Sequence, residues 1–106
     1  MGGEQSKDLP RCSEYTEGKA GIYFCDGKCG ACRTVWGSGP YTADSCVCLA
    51  ARHAGVIGKG GGAFEVVVED GKAEYKGTDT NGVTSQQFYK YPTSITIKKP
   101  VAPPAK

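Results

Sequence analysis

The stretch from Thr42 to Gly55, TADSCVCLAARHAG, constrains the fold most, because it carries a complete helix signal and two of the six cysteines. Thr42 predicts an N-cap. Asp44 and Ser45 place oxygen acceptors in a first turn, where unpaired backbone N–H groups favour them. Gly55 predicts a left-handed C′ residue that ends the helix. We therefore expect one short helix within this stretch.

One face of the predicted helix is narrow and made of small residues. The apolar positions follow helical spacing, at Val47, Ala50, Ala51 and Ala54. Such a face allows a neighbouring sheet to approach closely. Cys46 and Cys48 stand two residues apart, so on a helix they point about 200° apart around the axis. We expect these two cysteines to have different partners and to fasten the helix from two sides.

Six cysteines in a chain of 106 residues predict how a single small domain is stabilised. An even number of cysteines in a short chain is typical of a disulfide framework formed in an oxidising compartment. Six cysteines allow fifteen pairings, and their spacing does not choose among them. We expect structural disulfides.

The cysteines also fit three other uses, namely an iron–sulfur cluster, a redox dithiol and a zinc site. The spacing from Cys25 to Cys32 resembles an iron–sulfur motif, but the chain is too short for the barrel that encloses such clusters. Cys29-Gly30-Ala31-Cys32 resembles a redox dithiol, but the residues that follow favour a strand rather than a helix. A zinc site has candidate ligands in Cys25, Cys29, Cys32, Cys46, Cys48 and His53, but Cys46 and Cys48 would project in opposite directions from a helix.

Charge and hydropathy exclude several classes of partner. Thirteen basic and eleven acidic residues give a net charge of +2, and scattered Lys and Arg do not indicate a nucleic-acid partner. The sequence contains no apolar run long enough to cross a membrane, and Met1–Leu9 does not resemble a signal peptide. Met1–Ser6 fits a loose N-myristoylation pattern, which would imply a cytosolic protein with reduced thiols. The pattern is short and common, and no basic cluster follows it to supply a second membrane signal.

Outside the helix, the pattern predicts strands separated by turns. Strands are expected at 20–25, 34–37 and 94–98, and a hairpin at 64–77 turns at Asp70-Gly71 with Phe64, Val66 and Val68 on one face. Trp36 is expected in the core. Residues 78–82 predict a turn, and residues 83–91 stay unassigned. The glycine run at 58–62 lacks the phosphate-loop pattern and the helix N-terminus that such a loop needs.

Most of the chain, from about Cys12 to Lys98, resembles an LCCL domain. The residues that carry the resemblance are Cys25-x-x-x-Cys29, Val35-Trp36-Gly37, Tyr41-Thr42-x-Asp44-Ser45, Cys48-x-Ala50-Ala51-x-His53-Ala54-Gly55-Val56-Ile57, Gly61-Gly62, Tyr75-x-Gly77 and Asn81-Gly82-Val83-x-Ser85. The domain is expected over residues 11–99, after a flexible tail at 1–10 and before a Pro/Ala linker at 100–106.

The resemblance implies an α+β fold, in which a central helix is wrapped by antiparallel sheets. It also implies disulfides between the first and second and between the third and fourth family cysteines, which become Cys12–Cys25 and Cys29–Cys48. Cys32 and Cys46 depart from the family pattern and lie on the same two segments as Cys29 and Cys48. We expect a third disulfide between them.

The resemblance further implies a secreted, non-catalytic recognition module that binds a microbial surface glycan, lipopolysaccharide or a partner protein. Candidate ligand-binding residues are Tyr41, Arg52, His53 and Asn81, for which packing, capping and turn roles are the alternatives. We expect no cofactor, no metal and no catalytic residue, and a monomer as an isolated domain. The alternative function is a structural module that spaces or stabilises neighbouring domains and has no small ligand.

Overall fold

A computed structural model of the chain describes residues 10–27 and 34–100. The described residues form one α-helix and six antiparallel strands, which confirms the expected α+β class. The elements, after a 3-10 turn at Cys12–Glu14, are β1 Gly21–Cys25, β2 Tyr41–Thr42, α1 Val47–His53, β3 Gly62–Lys72, β4 Asp79–Thr80, β5 Val83–Thr84 and β6 Tyr91–Lys98. No helix in these ranges is long and apolar enough to span a membrane.

Two sheets enclose α1. The larger sheet has four strands in the order β1-β3-β6-β2, and the smaller sheet is the β4-β5 hairpin. The register pairs Cys25 with Gly62 and Tyr41 with Ile95. Because α1 contacts both β6 and β5, the helix lies between the two sheets.

Alternation along β3 and the small face of α1 together make the core. Phe64 and Val66 are buried on β3, as the pattern predicts, and Val68 packs against them while partly buried. On α1, Val47, Ala50 and Ala51 are buried. Ala54 is exposed and is not part of this face, because it is the C-cap residue at which the chain leaves the helix.

The helix begins later than its sequence predicts. Thr42 belongs to β2, and the N-cap is Cys46, whose Sγ accepts from the Leu49 N–H at 3.5 Å. The hydroxyl of Ser45 instead accepts from the Trp36 N–H at 3.0 Å. The hydroxyl of Ser45 therefore bonds to the neighbouring 34–37 segment rather than to a first helical turn. The prediction of Thr42 as N-cap was wrong.

The helix ends as predicted. Gly55 has φ +80°, and its N–H donates to Arg52 O at 3.0 Å, while the Val56 N–H donates to Ala51 O at 3.0 Å. These two bonds form a Schellman motif, in which a left-handed glycine lets the chain satisfy the last carbonyls of a helix.

Two strand predictions were wrong. Residues 34–37 form only isolated bridges, from Trp36 to Gln86 and from Gly37 to Tyr41. The predicted turn at Asp70-Gly71 lies inside β3, whose partner is β6. A Cβ added at Gly71 would lie 2.0 Å from Tyr91 O, so this glycine permits close approach of two strands.

The disulfide pattern differs from the one that the resemblance implies. Cys25, at the end of β1, is bonded to Cys48 in the first turn of α1, with their Cα atoms 6.1 Å apart. Both residues are 0 % exposed. This bond contradicts the Cys12–Cys25 and Cys29–Cys48 pairs. The error has a physical reason, because the Sγ atoms of Cys12, Cys25 and Cys48 all lie within 4.8 Å of one another.

The expected third disulfide involves a segment that the structure does not describe. Cys46 is disulfide-bonded. Cys32 lies outside the described residues, as does Cys29, so the Cys32–Cys46 bond stays a prediction. All but one residue of the predicted tail at 1–10, and all but one of the predicted linker at 100–106, also lie outside them, so these two bounds stay predictions.

Candidate ligand-binding groove

A buried hydrogen-bonded chain links β2, α1 and the segment that leads into β4. Tyr41 and His53 are 1 % and 3 % exposed. The Tyr41 hydroxyl lies 3.0 Å from His53 Nδ1, and His53 Nε2 lies 2.9 Å from Thr78 Oγ1 and 3.3 Å from Thr78 O. A carbonyl oxygen only accepts, which assigns the ring proton to Nε2 and makes Nδ1 the acceptor for Tyr41.

Burial keeps the Tyr41 hydroxyl protonated. Desolvation raises the pKa of Tyr41 to about 12, because the phenolate would have to be held away from water. Tyr41 therefore remains a neutral donor to His53, and the two rings pack edge to face with centroids 5.6 Å apart.

Asn81 fastens the small hairpin to the end of the helix. It has a left-handed backbone, with φ 53°, and Gly82 follows with φ 77°. Two successive positive φ values between β4 and β5 are typical of a two-residue hairpin turn. The side-chain amide of Asn81 donates to His53 O at 2.8 Å. The hairpin is thus held to α1 both through Asn81 and through the His53–Thr78 bond.

A groove of about 600 Å³ lies above this chain of bonds. Its polar lining is made of hydroxyl and amide groups, from Ser38, Thr78, Thr80, Thr96 and Asn81. Thr78 Oγ1 and Thr80 Oγ1 are 3.1 Å apart, so the two hydroxyls can orient one another. The groove therefore offers several neutral donors and acceptors over a rigid, buried floor.

A second cavity of about 400 Å³ adjoins the groove across Asn81, which lines both. Its other lining residues include Arg52, from the last turn of α1, and Lys59, from the glycine-rich loop. The two cavities differ in charge, because the groove is lined by neutral groups and the second cavity by two cations.

The four candidate residues are brought together, in two different environments. Tyr41 and His53 are buried below the groove and bonded to protein groups, whereas Arg52 is half-buried and Asn81 is exposed at its edge. Arg52 and Asn81 can contact a ligand directly, and Tyr41 and His53 hold the floor in place. The backbone of Asn81 also has the turn role given above as the alternative, because it lies in the turn between β4 and β5. A ligand-binding role for the four residues stays a prediction.

Sequence reasoning missed Thr78, Thr80 and Lys59. Thr78 follows the Tyr75-x-Gly77 motif and stands 25 residues from His53, so only the folded chain places it beside the ring. Lys59 is not predicted as a site residue, because the glycine run around it does not fit a phosphate loop. The available signal was a lysine between glycines directly after a helix that ends in Arg52 and His53.

A third cavity, of about 440 Å³, lies at the opposite end of α1 and is acidic. Glu17 and Asp44 line it, together with Tyr15 and Trp36. Trp36 is half-buried and packs against Phe88 with ring centroids 6.2 Å apart, so the expectation of a core tryptophan was wrong. The partly exposed indole forms part of the cavity wall.

The LCCL domain family model matches residues 4–95. Human cochlin is 36% identical over 66 residues, which is 62% of this chain and 12% of cochlin. Mouse cochlin is 36% identical over 77 residues, covering 72% of this chain and 14% of that protein.

Clotting factor C of Tachypleus tridentatus is 42% identical over 55 residues, which cover 52% of this chain and 5% of the relative. Vitrin of Mus musculus is 38% identical over 63 residues, covering 59% of this chain and 10% of vitrin. The chain therefore spans only a small part of these relatives. Since the family model covers most of the chain, this protein belongs to the LCCL domain family.

Proposed function

We propose that this LCCL domain is a non-catalytic extracellular recognition module that binds a glycan of a microbial surface, lipopolysaccharide included, in the groove above Tyr41 and His53. The observation that carries the proposal is the lining of the groove by hydroxyl and amide groups over a buried, hydrogen-bonded floor. Sugars present many hydroxyls, each able to donate and to accept, and such a lining can satisfy both roles.

The floor supports binding by being ordered before a ligand arrives. A site whose groups are already fixed loses less conformational entropy on binding. Tyr41 and His53 are positioning residues, because they hold Thr78 and the hairpin. At the surface, the Thr80 hydroxyl, the amide oxygen of Asn81 and the Arg52 guanidinium can then form the contacts with the sugar.

The disulfide between Cys25 and Cys48 supports an extracellular location, because such bonds persist in oxidising compartments. The hydrogen bonds of His53 favour a non-catalytic role. Both of its ring nitrogens bond to protein groups, Tyr41 and Thr78, so the ring serves the structure rather than proton transfer to a substrate.

Binding is tested by screening the folded domain on an array of neutral and acidic glycans with lipopolysaccharide, followed by calorimetric titration of each hit. Thr80→Val removes one hydroxyl from the groove and keeps the shape of the side chain. We expect it to weaken binding about fivefold, the effect of one neutral hydrogen bond.

Thr16→Val is the matched control, because Thr16 is exposed and lines neither cavity of the site. It should leave the affinity unchanged. If the folded domain shows no saturable binding to any glycan or to lipopolysaccharide, the proposal is wrong. The structural alternative would then be favoured, and truncation of the domain should destabilise its parent protein.

A further inference from the structure

The cavity beside the groove is lined by two cationic residues. Arg52 reaches it from the last turn of α1, and Lys59 from the loop that follows. Arg52 is half-buried and Lys59 is exposed. The two positive groups therefore come from different elements and converge on one space of about 400 Å³.

The loop that carries Lys59 is held at both ends. Ile57, before it, is 8 % exposed and belongs to the core cluster. After it, the Gly61 N–H donates to Gly58 O at 3.0 Å, which closes a turn with Lys59 at an outer position. Gly61 itself lies against β1, since an added Cβ would be 2.1 Å from Cys25 O. These contacts fix the place from which the lysine side chain extends.

Within residues 10–27 and 34–100, neither Arg52 nor Lys59 takes part in an ion pair. Among the residues that the structure describes, the only ion pair joins Arg11 to Asp26, at 3.2 Å. The residues that line the cavity include no carboxylate. The charge of Arg52 and Lys59 is therefore available to an anion in this cavity.

The C-terminal end of a helix by itself disfavours an anion, because its partial negative charge resides on unbonded carbonyls. Here those carbonyls have partners. Ala51 O and Arg52 O accept from the Schellman motif, and His53 O accepts from Asn81. The helix end is thus compatible with a negative group beside Arg52.

We propose that this cavity binds the sulfate or phosphate ester of an acidic glycan, whose sugar rings occupy the adjoining groove across Asn81. This inference rests on the proposed function and specifies its ligand. A guanidinium pairs two oxygens of an anion through its fork, and an ammonium supplies a separate point charge. A sulfate or phosphate ester has three terminal oxygens and can use both cations, whereas a carboxylate is already satisfied by the arginine.

The experiment titrates the folded domain with two pairs of saccharides. One pair is a heparin hexasaccharide and the same hexasaccharide after desulfation, and the other is a phosphorylated mannan fragment and its dephosphorylated form. A hexaglutamate peptide is included as an anion of a different class. We expect each ester-bearing saccharide to bind more tightly than its neutral partner. The stronger of the two distinguishes a sulfated from a phosphorylated source.

The variant R52Q/K59Q removes both cations. We expect it to lower the affinity for the ester-bearing saccharides about 10- to 100-fold, with little change for the neutral ones. Arg52→Lys keeps the charge and loses the fork, so it should give an intermediate loss. K76Q/K90Q is the matched control, because it removes the same charge from two exposed lysines that line neither cavity. All variants are first checked for an unchanged unfolding midpoint.

Three outcomes would overturn this inference while leaving the proposed function intact. In the first, neutral and ester-bearing saccharides bind equally. In the second, K76Q/K90Q weakens binding as much as R52Q/K59Q does, which indicates unspecific charge. In the third, hexaglutamate displaces the acidic saccharides with equal affinity, which indicates a site for any polyanion. If none of the four saccharides binds, this inference is wrong; if the glycan array and lipopolysaccharide also show no saturable binding, both proposals are wrong.

Discussion

Asn81 donates its side-chain amide to the carbonyl of His53 at 2.8 Å, and this bond joins the tip of the β4–β5 hairpin to the end of α1. The same histidine is bonded through its ring to Thr78, at the other end of the hairpin. One helical residue therefore holds the hairpin at two points. The position of the groove depends on both, because the hairpin supplies one of its walls.

Asn81→Ala is expected to destabilise the domain by about 2 kcal/mol. About half of this comes from the lost hydrogen bond, and the rest from the left-handed backbone at φ 53°, which asparagine tolerates better than alanine does. Asn81→Gly loses the bond but tolerates the backbone, so it should cost less than alanine. Urea unfolding of the wild type and the two variants measures the order of their stabilities. A glycine variant less stable than the alanine variant would contradict this explanation.

The domain is expected to lose stability in alkaline solution, partly through Tyr41. Burial raises the pKa of Tyr41 to about 12, whereas the unfolded chain titrates near the ordinary value of 10.0. The contribution is fully present below pH 10 and is lost as the pH rises towards 12, because the unfolded state releases its proton first. The slope from this one group is at most about 1.4 kcal/mol per pH unit.

Tyr41→Phe tests this contribution. The free energy of unfolding of the variant should be lower at neutral pH, by about 1 to 3 kcal/mol, since His53 Nδ1 loses its donor in a buried place. Between pH 10 and 12 it should fall less steeply than that of the wild type. Tyr89→Phe is the control, because Tyr89 is 75 % exposed. Parallel slopes for Tyr41→Phe and wild type would show that Tyr41 is not the group involved.

The parts of the fold that could be predicted are those set by neighbouring residues. The end of α1 follows from Gly55 and the residues beside it, and the apolar alternation of β3 and β6 marks their buried faces. The start of α1 could not be predicted, because Ser45 uses its hydroxyl on Trp36, nine residues away. A hydroxyl that fits a helix cap fits a long-range bond equally well.

The same distinction applies to the candidate site. Tyr41 and His53 lie among the residues that carry the family resemblance, so both could be named as candidates from the sequence. Thr78 is 25 residues from His53, and no local pattern relates them. The prediction of a turn at Gly71 was wrong for a related reason. In sequence, a glycine that lets a neighbouring strand approach closely cannot be distinguished from a glycine that a turn requires.

The disulfide between Cys25 and Cys48 is open to direct measurement. Peptide mapping of the unreduced protein should recover these two cysteines in one linked pair. Replacing both by alanine should lower stability by about 3 kcal/mol in the chain-entropy account, for a sequence separation of 23 residues. Replacing both, rather than one, prevents Cys25 from pairing with Cys12, whose Sγ lies in the same cluster. Recovery of Cys12 linked to Cys25 would instead restore the pairing implied by the family.

Gly60 and Gly61 are adjacent in sequence but differ in what they permit. Gly61 has φ +93°, and an added Cβ would lie 2.1 Å from Cys25 O, whereas a Cβ at Gly60 would meet nothing within 4 Å. Gly61→Ala is therefore expected to cost several kcal/mol, on the order of 3, because both the backbone conformation and the contact with β1 are lost. Gly60→Ala should change stability by less than about 0.5 kcal/mol.

Thermal unfolding of the two glycine variants measures this difference, and binding adds a second readout. Gly61 holds the loop that carries Lys59. Gly61→Ala should therefore lower the affinity for acidic saccharides more than the affinity for neutral ones, at a temperature where the variant is still folded. Gly60→Ala should bind both as the wild type does. Equal stabilities for the two variants would mean that the loop does not lie against Cys25, and the fixed position of Lys59 would then lose its support.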